Sequence, residues 1–134
     1  MRRVSLFLML VALGGAGCAA PSLPGKGATP DRLFADVPAP PGCDLLGSYT
    51  YADGAQRYGV LIYEGRLSIE AVVRHFETRM ARENWTFVQK LGTSEVVLRY
   101  GKGRGGSQHC DIAVGPADVR GRRRLLLLVT GTGL

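Results

Sequence analysis

The chain has 134 residues, of which 17 are basic and 11 acidic, so its formal net charge is +6. This length leaves room for one domain and excludes a multidomain architecture. The positive charge suits a protein near anionic polymers or lipid head groups, but it is too modest to require such a partner.

The first 17 residues have the layout of a secretory signal peptide. Arg2 and Arg3 form a basic start, residues 4–13 are apolar apart from Ser5, and residues 14–17 are small. This order is typical of export signals, and the apolar run is shorter than the roughly 20 residues that span a bilayer. A buried helix is the weaker alternative, because each glycine there would cost about 1 kcal/mol in a helix interior.

Cys18 indicates which kind of export signal this is. Residues 15–18, Gly-Ala-Gly-Cys, resemble a bacterial lipobox, although Gly15 stands where the box usually has Leu. The resemblance implies cleavage before Cys18 and attachment of lipid, palmitate included, to that residue. A plain secretory signal is the alternative. Ala19, in place of the Asp that often retains lipoproteins at the inner membrane, implies the outer membrane.

Cleavage before Cys18 leaves a tether followed by one domain. Removing Arg2 and Arg3 from the 17 basic residues leaves 15 against 11 acidic ones, a net charge of +4. Residues 18–41 contain six prolines and little apolar surface, so we expect an extended tether that holds the domain off the membrane. Residues 32–34 interrupt this composition and could dock on the domain, which we place at 42–134.

The domain opens with a predicted β-hairpin and one helix. Residues 45–51 are rich in β-formers, 52–55 form a turn, and 57–64 alternate. Apolar side chains then recur at helical spacing over 68–83. Ser68 is a suitable N-cap, and an Asn can take the left-handed conformation that ends a helix, as expected for Asn84.

Four further strands are predicted at 85–90, 95–100, 108–114 and 123–130. The predicted fold is therefore α+β: a mainly antiparallel sheet of five to six strands with one helix packed on one face, in the order ββαββββ. One helix covers only part of a face, so the opposite face would stay apolar. We expect it to carry Leu61, Tyr63, Val97 and either 125/127 or 126/128. Sheet curvature together with cover by the tether is one explanation, and a dimer or partner surface is the other.

Two basic clusters are candidate contacts for an anion or a partner. Residues 101–107 join two strands and lack the spacing of a phosphate-binding loop. A second cluster occupies 120–124. In a meander the two loops lie at opposite ends of the sheet, which argues against one nucleic-acid-binding patch. The candidate residues are Lys102, Arg104, Arg120, Arg122 and Arg123.

The cysteines and histidines give weak chemical signals. With Cys18 lipidated, Cys43 and Cys110 remain. They could form a disulfide in an oxidising compartment, but the predicted topology separates them, so a buried free Cys110 is the other outcome. His75 and His109 have no spaced ligand set. We therefore predict no metal, no cofactor and no catalytic residue.

Three segments resemble a group of small uncharacterised bacterial lipoproteins or exported proteins. They are 36–42, Asp-Val-Pro-Ala-Pro-Pro-Gly; 59–65, Gly-Val-Leu-Ile-Tyr-Glu-Gly; and 76–85, in which a helix ends before Trp85. In that group a Gly usually precedes the Trp, where this chain has Asn84. The resemblance supports the order of the elements and implies no activity.

Two functions follow as hypotheses. The first is a non-enzymatic, membrane-anchored envelope lipoprotein that binds an envelope protein, an anionic polymer or a second copy through the uncovered sheet face. The alternative is a periplasmic small-ligand binder or minor enzyme with a cleft near 101–107. Four residues would line that cleft: Tyr100, Lys102, Arg104 and His109.

Overall fold

A computed structural model describes residues 34–132 of the chain. The predicted signal at 1–17, Cys18 and most of the tether lie outside these residues. The described part confirms the α+β fold and the order ββαββββ. Its elements are Cys43–Asp53 (β1), Gln56–Gly65 (β2), Ile69–Arg82 (α1), Thr86–Leu91 (β3), Val96–Lys102 (β4), Gln108–Val114 (β5) and Arg123–Thr132 (β6).

The six strands form one antiparallel sheet in the spatial order β1-β2-β6-β5-β4-β3. α1 carries the chain from β2 to the far edge of the sheet, where β3 begins. The remaining strands return as a meander, so that β6 inserts between β5 and β2. The β4–β5 loop therefore lies at one end of the sheet and the β5–β6 loop at the other.

One face of the sheet, which we call the inner face, carries the core. Its buried side chains alternate along the four central strands and pack with the buried stripe of α1. The opposite side, which we call the outer face, has no helix over it within residues 34–132. The inner-face core residues on these strands are Leu61, Tyr63, Val96, Leu98, Tyr100, Cys110, Ile112, Val114, Leu125, Leu127 and Val129.

The prediction for the uncovered face is therefore partly wrong. Leu61 and Tyr63 lie on the inner face, with 0% and 2% of their surface exposed. Val97 does lie on the outer face, together with Leu126 and Leu128. Alternation along β2 separated the two sets of side chains but could not decide which set faces the helix.

Phe34 and Gly59 show why β2 faces the way it does. Phe34 is buried against Gly59, and a Cβ added to Gly59 would overlap the Phe34 ring. Gly59 is in phase with Leu61, so the docked ring and the helix share the inner face. The predicted docking of 32–34 thus holds for Phe34, on the helix side of the sheet.

The compact part of the chain begins earlier than the predicted boundary at residue 42. Phe34 and Val37 are buried with the core, and Pro40 is buried as well. A backbone hydrogen bond of 2.9 Å from the Val37 nitrogen to the Phe34 oxygen closes a turn between the first two. We call residues 34–41 the N-terminal segment; it packs with the domain, although the predicted tether includes it.

α1 begins and ends as the sequence predicts. The Ser68 side chain accepts a hydrogen bond from the Ala71 nitrogen at 3.1 Å. Asn84 adopts a φ of 62°, and the Trp85 nitrogen donates back to the Met80 oxygen at 2.9 Å. This ending, in which the chain reverses through a left-handed residue, returns Trp85 to the core, where it is 2% exposed.

The contact between Phe34 and Gly59 can be tested by a double-mutant cycle. Gly59→Ala should lower the free energy of unfolding by about 1–3 kcal/mol, because the methyl group overpacks the site. Phe34→Ala should lower it by about 3–5 kcal/mol. In the Phe34→Ala background the added methyl group has room, so its cost should fall by more than half. Urea denaturation of the four proteins measures this; an equal cost of Gly59→Ala in both backgrounds would contradict the contact.

Candidate functional site

A row of polar residues crosses the inner face at the end that carries the β4–β5 loop. Lys102 of β4 pairs with Gln108 of β5, Gln108 pairs with Gly131 of β6, and Gly131 pairs with Arg57 of β2. Arg57 and Gln108 are buried, with only 4% and 7% of their surface exposed. β4 extends two residues beyond its predicted end, which places Lys102 on the strand and in this row.

Asp36 of the N-terminal segment supplies a counter-charge to both cations of this row. Its two carboxylate oxygens accept hydrogen bonds from Arg57 at 2.9 and 3.1 Å, and one of them also accepts from Lys102 at 2.7 Å. Arg57 donates in addition to the Gln108 side-chain oxygen. We call these four residues, Asp36, Arg57, Lys102 and Gln108, the Asp36 cluster. It joins a segment outside the sheet to three strands within it.

Trp85 completes the surroundings of the Asp36 cluster. Its indole nitrogen donates to the Asp36 backbone oxygen at 2.9 Å. Its ring also faces two cations: the Arg57 guanidinium carbon lies 5.8 Å from the ring centroid, and the Lys102 nitrogen lies 5.4 Å from it. Cations attract the electron-rich face of an indole at this range. Trp85, which follows the end of the helix, therefore also fixes the N-terminal segment.

The electrostatics of the Asp36 cluster favour a structural role over acid–base chemistry. Burial raises the pKa of Asp36. Hydrogen bonds from Arg57 and Lys102, with their positive charges, lower it by a larger amount, so the pKa lies below the ordinary 3.8. A carboxylate that binds two cations is a weak proton acceptor at neutral pH. One row deeper, burial raises the pKa of the Cys110 thiol and raises that of Tyr100 to about 12. Neither is an activated nucleophile.

The predicted ligand cleft near 101–107 does not assemble as expected. Tyr100 is buried on the inner face, whereas His109 is exposed on the outer face. Lys102 is engaged by Asp36, and Arg104 lies exposed in a short 3-10 turn, Arg104–Gly106. Strand alternation sends the first two side chains to opposite sides of the sheet, so the four residues cannot line one cleft.

The two basic clusters are separate, as predicted. Lys102 and Arg104 lie at the end with the β4–β5 loop, and the other three candidates lie at the opposite end. Arg122 forms a salt bridge of 2.8 Å with Glu64, and Arg123 donates to the backbone oxygens of Leu67 and Gly115. Arg120 is exposed in the β5–β6 loop.

Cys43 and Cys110 are both free thiols. Cys43 pairs with Gly65 at the edge of the sheet, whereas Cys110 pairs with Val129 near the opposite end. Two strands, β2 and β6, separate the strands that carry them. The suggested disulfide is therefore not formed, and the alternative of a buried free Cys110 is the observed one.

The outer face carries exposed aromatic and aliphatic side chains. Tyr49 and Tyr58 are about two-fifths exposed, at 40% and 42%, and Tyr51 is 62% exposed. The rings of Tyr51 and Tyr58 pair across β1 and β2, with 6.1 Å between their centroids. Such groups are usually buried or used for contact, so this face is the second candidate functional surface. The sequence pattern predicts an apolar surface on the uncovered face, but it did not indicate that Tyr49, Tyr51 and Tyr58 lie there.

The described residues contain no cluster of three His, Cys, Asp or Glu side chains that could bind a metal ion. Among residues 34–132, no helix is both long enough and apolar enough to cross a membrane. No family model matches the chain, and neither a curated protein nor a solved structure shows significant similarity to it.

Removal of the Asp36 carboxylate tests the Asp36 cluster. Asp36→Asn removes the carboxylate that binds the buried Arg57 through two oxygens, so the free energy of unfolding should fall by about 3–5 kcal/mol. Asp111→Asn is the matched control, because Asp111 also binds an arginine through two oxygens, at 2.7 Å each, but on the outer face. The Arg99 side chain is 43% exposed, and such pairs contribute about 0–1 kcal/mol. Equal losses in the two variants would contradict a stabilising role specific to Asp36.

The same carboxylate should make stability depend on acid. Because the pKa of Asp36 is lower in the folded chain than its ordinary 3.8, its contribution is complete above about pH 5 and is lost as the pH falls through the folded pKa. Thermal unfolding between pH 7 and pH 2 should show this loss. The fall should be smaller in Asp36→Asn than in Asp111→Asn; the reverse order would exclude Asp36 as the main titrating group.

Proposed function

We propose that the chain is an exported protein, anchored by lipid on Cys18 at the periplasmic side of the outer membrane, which acts by binding rather than by catalysis. The single observation that carries the binding role is the outer face, where exposed tyrosine and aliphatic side chains lie together on one side of a sheet whose other side carries the core. The anchor rests on the sequence of residues 2–18.

The Asp36 cluster supports this proposal in an indirect way. It engages Arg57, Lys102 and Gln108 with one another and with the N-terminal segment. The polar side chains of this row therefore already have partners within the fold. The alternative of a small-ligand site near 101–107 has less support, since Tyr100 and His109 lie on opposite faces. A binding partner is thus best sought on the outer face.

The lipid anchor is tested by comparing two cysteine variants in cells. Cys18→Ala should abolish lipidation and release the chain from the membrane fraction, because one residue carries the lipid. Cys43→Ala, a half-buried cysteine of β1, should fractionate like the native chain. The lipoprotein signal peptidase inhibitor globomycin should block processing of the native chain only. If Cys18→Ala is processed and localised like the native chain, the anchor is wrong.

Contact through the outer face is tested separately by site-specific photo-crosslinking in cells. A benzophenone amino acid in place of Tyr58 should give crosslinked products, since that side chain is 42% exposed on the outer face. The same probe in place of Thr78, which is exposed on α1, is the control and should give none. Mass spectrometry identifies the products. An absence of product at position 58, with normal expression, would contradict binding through this face.

A further inference from the structure

The outer face is organised in rows that run across the strands. The first row is aliphatic and contains Leu91, Val97, Ala113, Leu126 and Ile62 in successive strands. Leu91, on β3, is 53% exposed, and its four neighbours in this row are partly buried. All five side chains in this row are aliphatic.

The next two rows mix apolar and polar side chains. Leu128 and Val60 lie side by side on β6 and β2, followed by Tyr49 on β1. Thr130, Tyr58 and Tyr51 occupy the row beyond. Leu128 is 39% exposed although it belongs to a central strand. In these two rows the apolar and aromatic side chains therefore lie on β1, β2 and β6.

Several charged groups on the outer face form salt bridges with one another. Arg99 and Asp111, on β4 and β5, form a salt bridge with an N–O distance of 2.7 Å. At the end of the face, Glu64 binds Arg122 at 2.8 Å and Arg124 at 3.6 Å. A strongly acidic or basic partner would thus find few unpaired opposite charges here. A neutral, apolar surface of the same kind is the better complement.

The dimensions of the outer face fit a dimer. The six strands contain 6–11 residues each. With a rise of ~3.3 Å per residue and ~4.8 Å between strands, the face measures about 800 Å². A standard stable interface buries about 800 Å² on each partner. The centre of such an interface is mainly apolar. On the outer face the aliphatic row crosses the central strands, and the Arg99–Asp111 salt bridge lies beside that row on β4 and β5, with its charges already paired.

We propose that two copies of this chain associate outer face to outer face, forming a two-sheet sandwich with a helix on each outside surface. The contact is symmetric, since each copy offers the same patch to the other, and the two sheets lie about 10 Å apart. The N-terminal segment packs on the inner face, so two copies can meet without displacing it. This inference rests on the proposed function in that it takes the outer face as the binding surface and names its partner.

The association state of the full chain tests this proposal. The lipidated protein, purified from membranes in detergent micelles, is examined by sedimentation velocity over a dilution series, with the micelle mass accounted for. The native chain should sediment as two copies. Leu128→Lys should raise the dimer dissociation constant at least about 10-fold, because it replaces an apolar side chain at the contact by a charge, and its cross-strand neighbour Asp111 is already paired with Arg99.

Val119→Lys is the matched control, since it adds the same charge at a fully exposed apolar residue of the β5–β6 loop. It should leave the dissociation constant unchanged. Tyr51→Lys, at a side chain that is 62% exposed, is a second disrupting variant in case Leu128→Lys does not fold. Equal association of the native chain, Tyr51→Lys and Val119→Lys would overturn the outer face as the interface.

Photo-crosslinking at position 58 separates failure of this inference from failure of the proposed function. A product with twice the mass of the chain supports the dimer. A native chain that is monomeric in micelles, with a different protein crosslinked at position 58, overturns the dimer and leaves the proposed binding surface standing. A monomer with no crosslinked product overturns both.

Discussion

The ion pair between Asp36 and the buried Arg57 is the interaction on which the rest of this structure depends. Arg57 is 4% exposed, and an arginine buried without a counter-charge costs several kcal/mol. None of the residues paired with it across β1 and β6 supplies an acid: these are Ala52 and Gly131. The carboxylate comes instead from the N-terminal segment, so docking of that segment supplies a counter-charge that these neighbouring strands do not.

Docking of the N-terminal segment then completes the inner layer. α1 approaches β3 and β4 most closely, which leaves the β2 side of the sheet to be covered by something else. Phe34 covers it at Gly59, where the missing side chain makes room for the ring. The ion pair between Asp36 and Arg57 thus holds the segment in which Phe34 lies, and the docked Phe34 completes the core. Trp85 connects α1 with the N-terminal segment, since it follows the helix and its indole nitrogen donates to the Asp36 backbone oxygen.

Local signals in the sequence predicted the elements well, and long-range contacts were the part they could not predict. The helix Ile69–Arg82, flanked by Ser68 and Asn84, follows from apolar periodicity and from capping chemistry confined to a few neighbouring residues. The partners of Asp36 are 21 and 66 residues away, and no local pattern relates them. A signal was nevertheless present: Arg57, Lys102 and Gln108 each stand in phase with the buried residues of their own strand. Three polar interruptions of that kind predict a buried polar row that needs a counter-charge.

The assignment of faces follows from the same long-range contacts. Alternation along β2 divides Leu61 and Tyr63 from Val60 and Ile62, but either set could face the helix. Arg57 and Gly59, on the same side of β2, make the choice, because the N-terminal segment binds at both residues and cannot also bind on the other side. Val60 and Ile62 are then left on the outer face with the tyrosines. The apolar character of that face is thus set by where Asp36 docks, and the surface proposed for binding and the cluster that stabilises the fold are two results of one constraint.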